Sequence, residues 1–104
     1  MVERRRSEKA KERQAAAEGV AVAALGFIAG EPERLGRFLA LSGIGPDSIR
    51  AAARESQFLA GVLDHIVADE RLLLAFATEN GIDPEAVMRA RDALAGPHWE
   101  RDTP

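Results

Sequence analysis

His65 sits beside Asp64 and one helical turn before Asp69, a spacing that brings an imidazole and a carboxylate onto one face of a helix. Such a pair could serve acid–base chemistry or begin a metal site. Covalent catalysis would need a nucleophile, yet Ser7, Ser42, Ser48 and Ser56 all fall at helix ends, where a hydroxyl caps backbone amides. A metal would need a third ligand, and neither Glu-x-x-His nor His-x-x-x-His spacing occurs. The chain has no cysteine, hence no thiolate ligand, disulfide or cysteine nucleophile. These residues predict a protein that is not an enzyme, with no catalytic residue, no metal and no cofactor, in which His65 is bonded to a neighbouring carboxylate.

Phosphate chemistry is the next possibility. Leu41-Ser42-Gly43-Ile44-Gly45-Pro46 looks like a helix-hairpin-helix element, in which Gly-x-Gly amides at a helix start hold a DNA phosphate. Three features oppose it. Ile49 is large where the motif wants a small residue, Asp47 places an anion beside the phosphate, and the similar Asn80-Gly81-Ile82-Asp83-Pro84 has an aspartate in place of the second glycine. Helix capping is the simpler role for both turns.

Residues 1–13 hold six basic side chains (Arg4, Arg5, Arg6, Lys9, Lys11, Arg13) against three acids, whereas residues 14–104 hold eight basic and fourteen acidic. The arm is +3 and the body −6, together the chain's formal −3. An acidic body repels phosphate backbones, so nucleic-acid affinity would rest on the arm, with Arg4, Arg5, Arg6, Lys9 and Lys11 as its contacts. The plainer reading is a solvated, flexible leader into the first helix.

Two apolar features lack an obvious place in a core. Trp99, the only tryptophan, follows the helix-breaking Gly96-Pro97 and should dock either on its own bundle or on a partner. Leu72, Leu73 and Leu74 cannot all face inward from one helix, so one should reach a partner or a tail. Leu72, Leu74 and Trp99 are therefore the candidate interface.

The elements that position these residues are helices. The 104 residues make one domain that buries roughly two-thirds of its unfolded surface. With 46% apolar and 30% charged residues, and no tyrosine, the composition is globular and favours helix over sheet. The longest uncharged stretch, residues 19–30, is shorter than the ~20 residues of a membrane span. Apolar spacing and end signals predict helices from Glu8 to Ile28, Glu33 to Leu41, Pro46 to Glu55, Ser56 (as cap) to Val67, Asp69 to Asn80 and Pro84 to Ala95. In the second, Leu35, Phe38, Leu39 and Leu41 point inward, with Arg34 and Arg37 to water.

An offset of 38 residues lays Leu25 on Leu63, Ile28 on Ile66, Leu35 on Leu73, Phe38 on Phe76, Gly43 on Gly81, Ile44 on Ile82, Pro46 on Pro84 and Ala52 on Ala90. The matched residues pack or turn. This reads as two copies of a helix, short helix, glycine turn, helix unit, each too small to bury its own apolar face.

The run Glu31-Pro32-Glu33-Arg34-Leu35-Gly36-Arg37-Phe38-Leu39-Ala40-Leu41-Ser42-Gly43, with Pro46, Asp69-Glu70 and Asn80-Gly81-Ile82-Asp83-Pro84-Glu85, resembles a family of short alphaproteobacterial proteins catalogued as a domain of unknown function. The resemblance spans residues 16–94, and Gly45 stands where that family favours an aspartate. It implies a small helical fold and a bacterial cytoplasm, and it carries no activity, ligand or site residue.

The expectation is an all-α, compact bundle of five to six short helices: a basic arm at 1–13, a single domain at 14–95 and a tail at 96–104. Its predicted function is non-catalytic, through contacts with a protein partner or a second copy. The alternative is a nucleic-acid accessory protein using the arm and the Gly43–Gly45 turn. Neither a membrane nor a small-molecule ligand is expected as a partner.

Overall fold

The computed structural model describes the backbone of residues 2–95 and the side chains of residues 8–95. Arg4, Arg5 and Arg6 as contacts, and Trp99 with the tail, lie outside those side chains. The described chain forms six α-helices: α1 Val2–Ala29, α2 Pro32–Ser42, α3 Ile49–Ala52, α4 Ser56–Val67, α5 Glu70–Asn80 and α6 Pro84–Ala95. No strand occurs among the described residues, so the all-α expectation holds. No single described helix is long and apolar enough to cross a membrane.

Helix α1 starts at Val2, earlier than the predicted Glu8, so the basic arm forms its first turns. Residues 8–16 are exposed on every side. Ala17, Ala21, Ala24 and Ile28 then form a buried stripe at four-, three- and four-residue steps, and the small alanines let neighbouring helices approach closely. The Gly30 N–H bonds to the Gly26 carbonyl at 2.9 Å, Pro32 starts α2, and the chain turns through 116° between α1 and α2.

Helix α4 runs through the middle of the body. It buries Leu59, Val62, Leu63 and Ile66 against α1 and α6, and α5 closes the core with Leu73 and Phe76. The Phe27 and Phe76 rings meet at 5.5 Å with a tilt of 58°. Helix α6 adds Val87, Ala90 and Leu94 to the same core. Ser56 is not the cap of α4 that the sequence predicts: Glu55 occupies that position and Ser56 is the first helical residue. Its hydroxyl donates to Glu18 Oε2 at 3.0 Å and accepts from Gln14 Nε2 at 3.3 Å, which ties α4 to α1.

Both predicted glycine turns are present, each with a left-handed glycine, at φ +75° for Gly43 and φ +63° for Gly81. They finish differently. After α5 the chain folds back, so that the Ile82 N–H reaches the Ala77 carbonyl at 2.9 Å and Ile82 packs on the core. After α2 the Gly43 N–H bonds to the Leu39 carbonyl at 2.9 Å, but the Ile44 N–H goes to Ser42 Oγ at 3.3 Å and Ile44 stays outside the core cluster. Replacing Gly81 by alanine puts a Cβ into the left-handed region and should cost about 1–2 kcal/mol, which urea unfolding reads directly. An unchanged midpoint would mean that the turn relaxes to another conformation.

The 38-residue repeat maps α2 onto α5 residue for residue, since Pro32 falls on Glu70 and Ser42 on Asn80. Glu18–Ala29 of α1 falls on α4. Ile28 with Ile66, and Phe38 with Phe76, are buried in both copies. The third helix breaks the symmetry. In the second copy Asp83 Oδ1 accepts from the Glu85 N–H at 3.1 Å and α6 follows unbroken. In the first copy the predicted helix from Pro46 to Glu55 is a 3₁₀ turn at Pro46–Ser48 and then α3, only four residues long. Neither piece buries a residue, so nothing holds a longer helix against its nucleation cost.

Candidate functional site

Phe38 is the only buried residue of α2. Leu41 follows one turn later on the same side, where helical periodicity predicts it to be inward. It is 72% exposed instead. Because the chain after Gly43 does not fold back as its counterpart after Gly81 does, none of the described residues covers that side of the last turn. Leu41 thus stands on the wall of an open strip between α2 and α4.

The strip has two parts that share Leu41 and His65. Its apolar part, about 440 Å³, is lined by Phe38, Leu41, Ile44, Phe58 and Gly61, with Asp64 on its edge. Gly61 leaves the floor open, since a methyl group there would meet nothing within 4 Å. The charged part, about 260 Å³, is lined by Glu31, Glu33, Arg34, Arg37, Asp69 and Leu72 among others. A ladder of rings connects the two: His65 meets Phe38 edge-on at 5.2 Å, and Phe38 meets Phe58 edge-on at 5.9 Å.

Most charges here are already engaged. Arg34 bonds Glu31 at 3.4 Å and lies 4.1 Å over the Phe27 ring. Asp69 Oδ1 caps α5, accepting from the Arg71 and Leu72 N–H groups at 3.0 and 3.3 Å. Asp64 faces Arg91 of α6 at 3.8 Å. Arg37 has no ion-pair partner among the described residues. His65 is not bonded to Asp64 or Asp69 as predicted, because Asp64 turns to Arg91 and the imidazole packs on Phe38.

Burial lowers the His65 pKa from the ordinary 6.5, with Asp69 opposing and Arg37 adding to the shift. The fold therefore prefers the neutral imidazole. Stability from this group is complete above the unfolded value and declines as pH falls below it, until folded His65 is protonated too. The urea midpoint should fall between about pH 7 and about pH 5.5, and His65→Gln should reduce that fall. An equal fall in the variant would assign it to other groups.

The serine in this strip is not poised as a nucleophile, since Ser42 Oγ donates to the Leu39 carbonyl at 3.4 Å and accepts from Ile44 N–H. No three of His, Asp and Glu gather in metal-binding geometry among the described residues. At the Gly43 turn the glycine amide caps α2, and the following α3 is too short to present a helix N-terminus to a phosphate. Lys9 and Lys11 are exposed on α1.

Leu72 is half-buried in the charged part of the strip. Leu74, 50% exposed, lies on another side of α5, beside Phe27, Thr78 and Glu79. Leu74 is thus the exposed member of the leucine run, and Leu41, which the spacing predicts to be buried, is the most exposed large apolar residue among the described ones. What the strip can do is receive an apolar or aromatic group beside Leu41 and a polar one beside Arg37 and His65.

A protein-family model described as "Protein of unknown function (DUF3572)" matches residues 14–97. No curated protein and no solved structure matches the chain.

Proposed function

The chain belongs to the DUF3572 family, and from the α2–α4 strip we propose that it is a non-catalytic, cytoplasmic protein-contact module. Its partner is a second copy of itself or another protein, held by an aromatic or leucine anchor in the apolar part of the strip. The observation that carries this reading is Leu41, 72% exposed between an apolar groove and a charged cleft. A large aliphatic side chain in water beside the half-buried Phe58 ring gains free energy when a partner covers it.

Selection of peptides from a random displayed library tests it. Enriched peptides should carry an aromatic or leucine anchor and perturb the NMR signals of Leu41, Ile44, Phe58 and His65. Failure to enrich any peptide, or peptides that map only to the Leu74 side of α5, would overturn the reading. Sedimentation then separates the partners: a dimer that Leu41→Asp dissociates identifies a second copy, and a monomer identifies a different protein.

A further inference from the structure

We propose that the partner is a second copy of the chain, docked about a two-fold axis that passes beside Leu41. This rests on the α2–α4 strip being the contact surface and names what covers it. Two observations carry it: the order of charges on either side of Leu41, and a knob and a hollow within one strip.

Glu33 and Arg37 precede Leu41 by about two turns and one turn of α2, in the charged part of the strip. Asp47 and Arg50 follow it, beyond the Ile44 wall of the apolar part. All four are exposed, and none has an ion-pair partner among the described residues, whereas Arg34 is held by Glu31. From Glu33 to Arg50 the charges left over therefore run minus, plus, apolar centre, minus, plus. A partner of one sign is repelled by half of them. Turning the chain over about Leu41 instead brings Arg37 toward Asp47 of the other copy and Glu33 toward its Arg50, and each contact occurs twice.

The apolar centre complements itself as well. Leu41 stands out at 72% exposure, and beside it Gly61 leaves the floor of the groove open. The Leu41 of each copy enters the hollow of the other, against Ile44 and the half-buried Phe58 ring. One strip between two helices makes a small interface, so the dimer is weak, with a Kd on the order of 100 μM. The chain is then monomeric in dilute solution.

Sedimentation equilibrium of the full chain tests this. The wild type should pass from monomer to dimer between low and high micromolar concentration, and Leu41→Asp should stay monomeric. Arg37→Glu and Asp47→Arg should each weaken self-association by about tenfold, because either reversal sets like charges together at two symmetric contacts. Mixing these two variants restores opposite charges at both contacts. The mixture should dimerise as the wild type does, less so at high salt. Arg13→Glu, on α1 outside the strip, should have no effect, and circular dichroism confirms the fold of every variant.

A wild type that stays monomeric, a dimer that survives Leu41→Asp, or a mixture that associates no better than its components would each overturn the proposal. NMR titration with library-selected peptides separates its failure from that of the reading beneath it. A monomer whose Leu41 and Phe58 signals such peptides still perturb would sink the second copy and leave the contact module standing. A monomer that binds no peptide there would sink both.

Discussion

Phe76→Ala should lower the unfolding free energy by about 3–5 kcal/mol, the range for removing a large buried aromatic and leaving a cavity. Phe76 is fully buried and its ring meets Phe27 at 5.5 Å, in a core that also takes Ile28 of α1, Leu63 of α4 and Val87 of α6. Deleting it removes contacts to several helices together, and the fixed helix backbones limit collapse into the void. A domain of this size is stable by about 5–15 kcal/mol in all, so the loss is a large fraction and is measurable by urea unfolding. Its counterpart under the repeat, Phe38, is 3% exposed but forms a wall of the open groove. Phe38→Ala should cost distinctly less, because water or neighbouring side chains can enter the space. Equal losses at the two positions would show that the groove is closed in solution.

Leu41→Asp should do the opposite: no change of stability beyond about 0.5 kcal/mol, and loss of binding to groove-selected peptides by at least about tenfold, or roughly 1.4 kcal/mol. At 72% exposure the leucine contributes almost nothing to the core. In a complex, however, the carboxylate would have to be desolvated against Phe38 and Phe58 without a positive partner in the apolar part. Isothermal titration with a selected peptide measures the loss, and urea unfolding supplies the control. Full binding by Leu41→Asp would remove the groove as the contact surface, whereas a large drop in stability would mean that Leu41 is covered in solution.

Local signals are what made the fold legible. Left-handed glycines at Gly43 and Gly81, the Asp83 cap, Pro32 and Pro84 at helix starts and apolar residues at helical spacing each act within a few residues, and the predicted turns and the helices α1, α2, α4, α5 and α6 that rested on them are present. The 38-residue correspondence also emerges from the sequence, because it repeats the packing positions themselves. Errors arose where tertiary partners decide. Pro46 to Glu55 has helical residues but acquires no buried face, so it stops as a turn and α3. Ser56 looks like a cap, yet Glu18 and Gln14 of α1 engage its hydroxyl.

The candidate site was legible only in pieces. The leucine run required one residue outside, and Leu74 is that residue. His65 stood out by its type and spacing, but its neighbour is the Phe38 ring, which no count along the chain places beside it. Leu41 has the periodicity of a core residue, and its exposure follows from a helix that fails to form several residues later. A vacancy of that kind leaves no local mark on the residues around it.

The broken third helix gives duplicated positions unequal duties. Val87 and Ala90 are buried, whereas Ile49 and Ala52, 38 residues earlier, are only half-buried. The third helix of the second copy is part of the keel of the molecule and has little freedom to vary; its counterpart in the first is ballast-free and able to change its surface without risk to the whole. A near-symmetric chain thereby obtains polarity, with one end committed to holding shape and the other at liberty to acquire specificity.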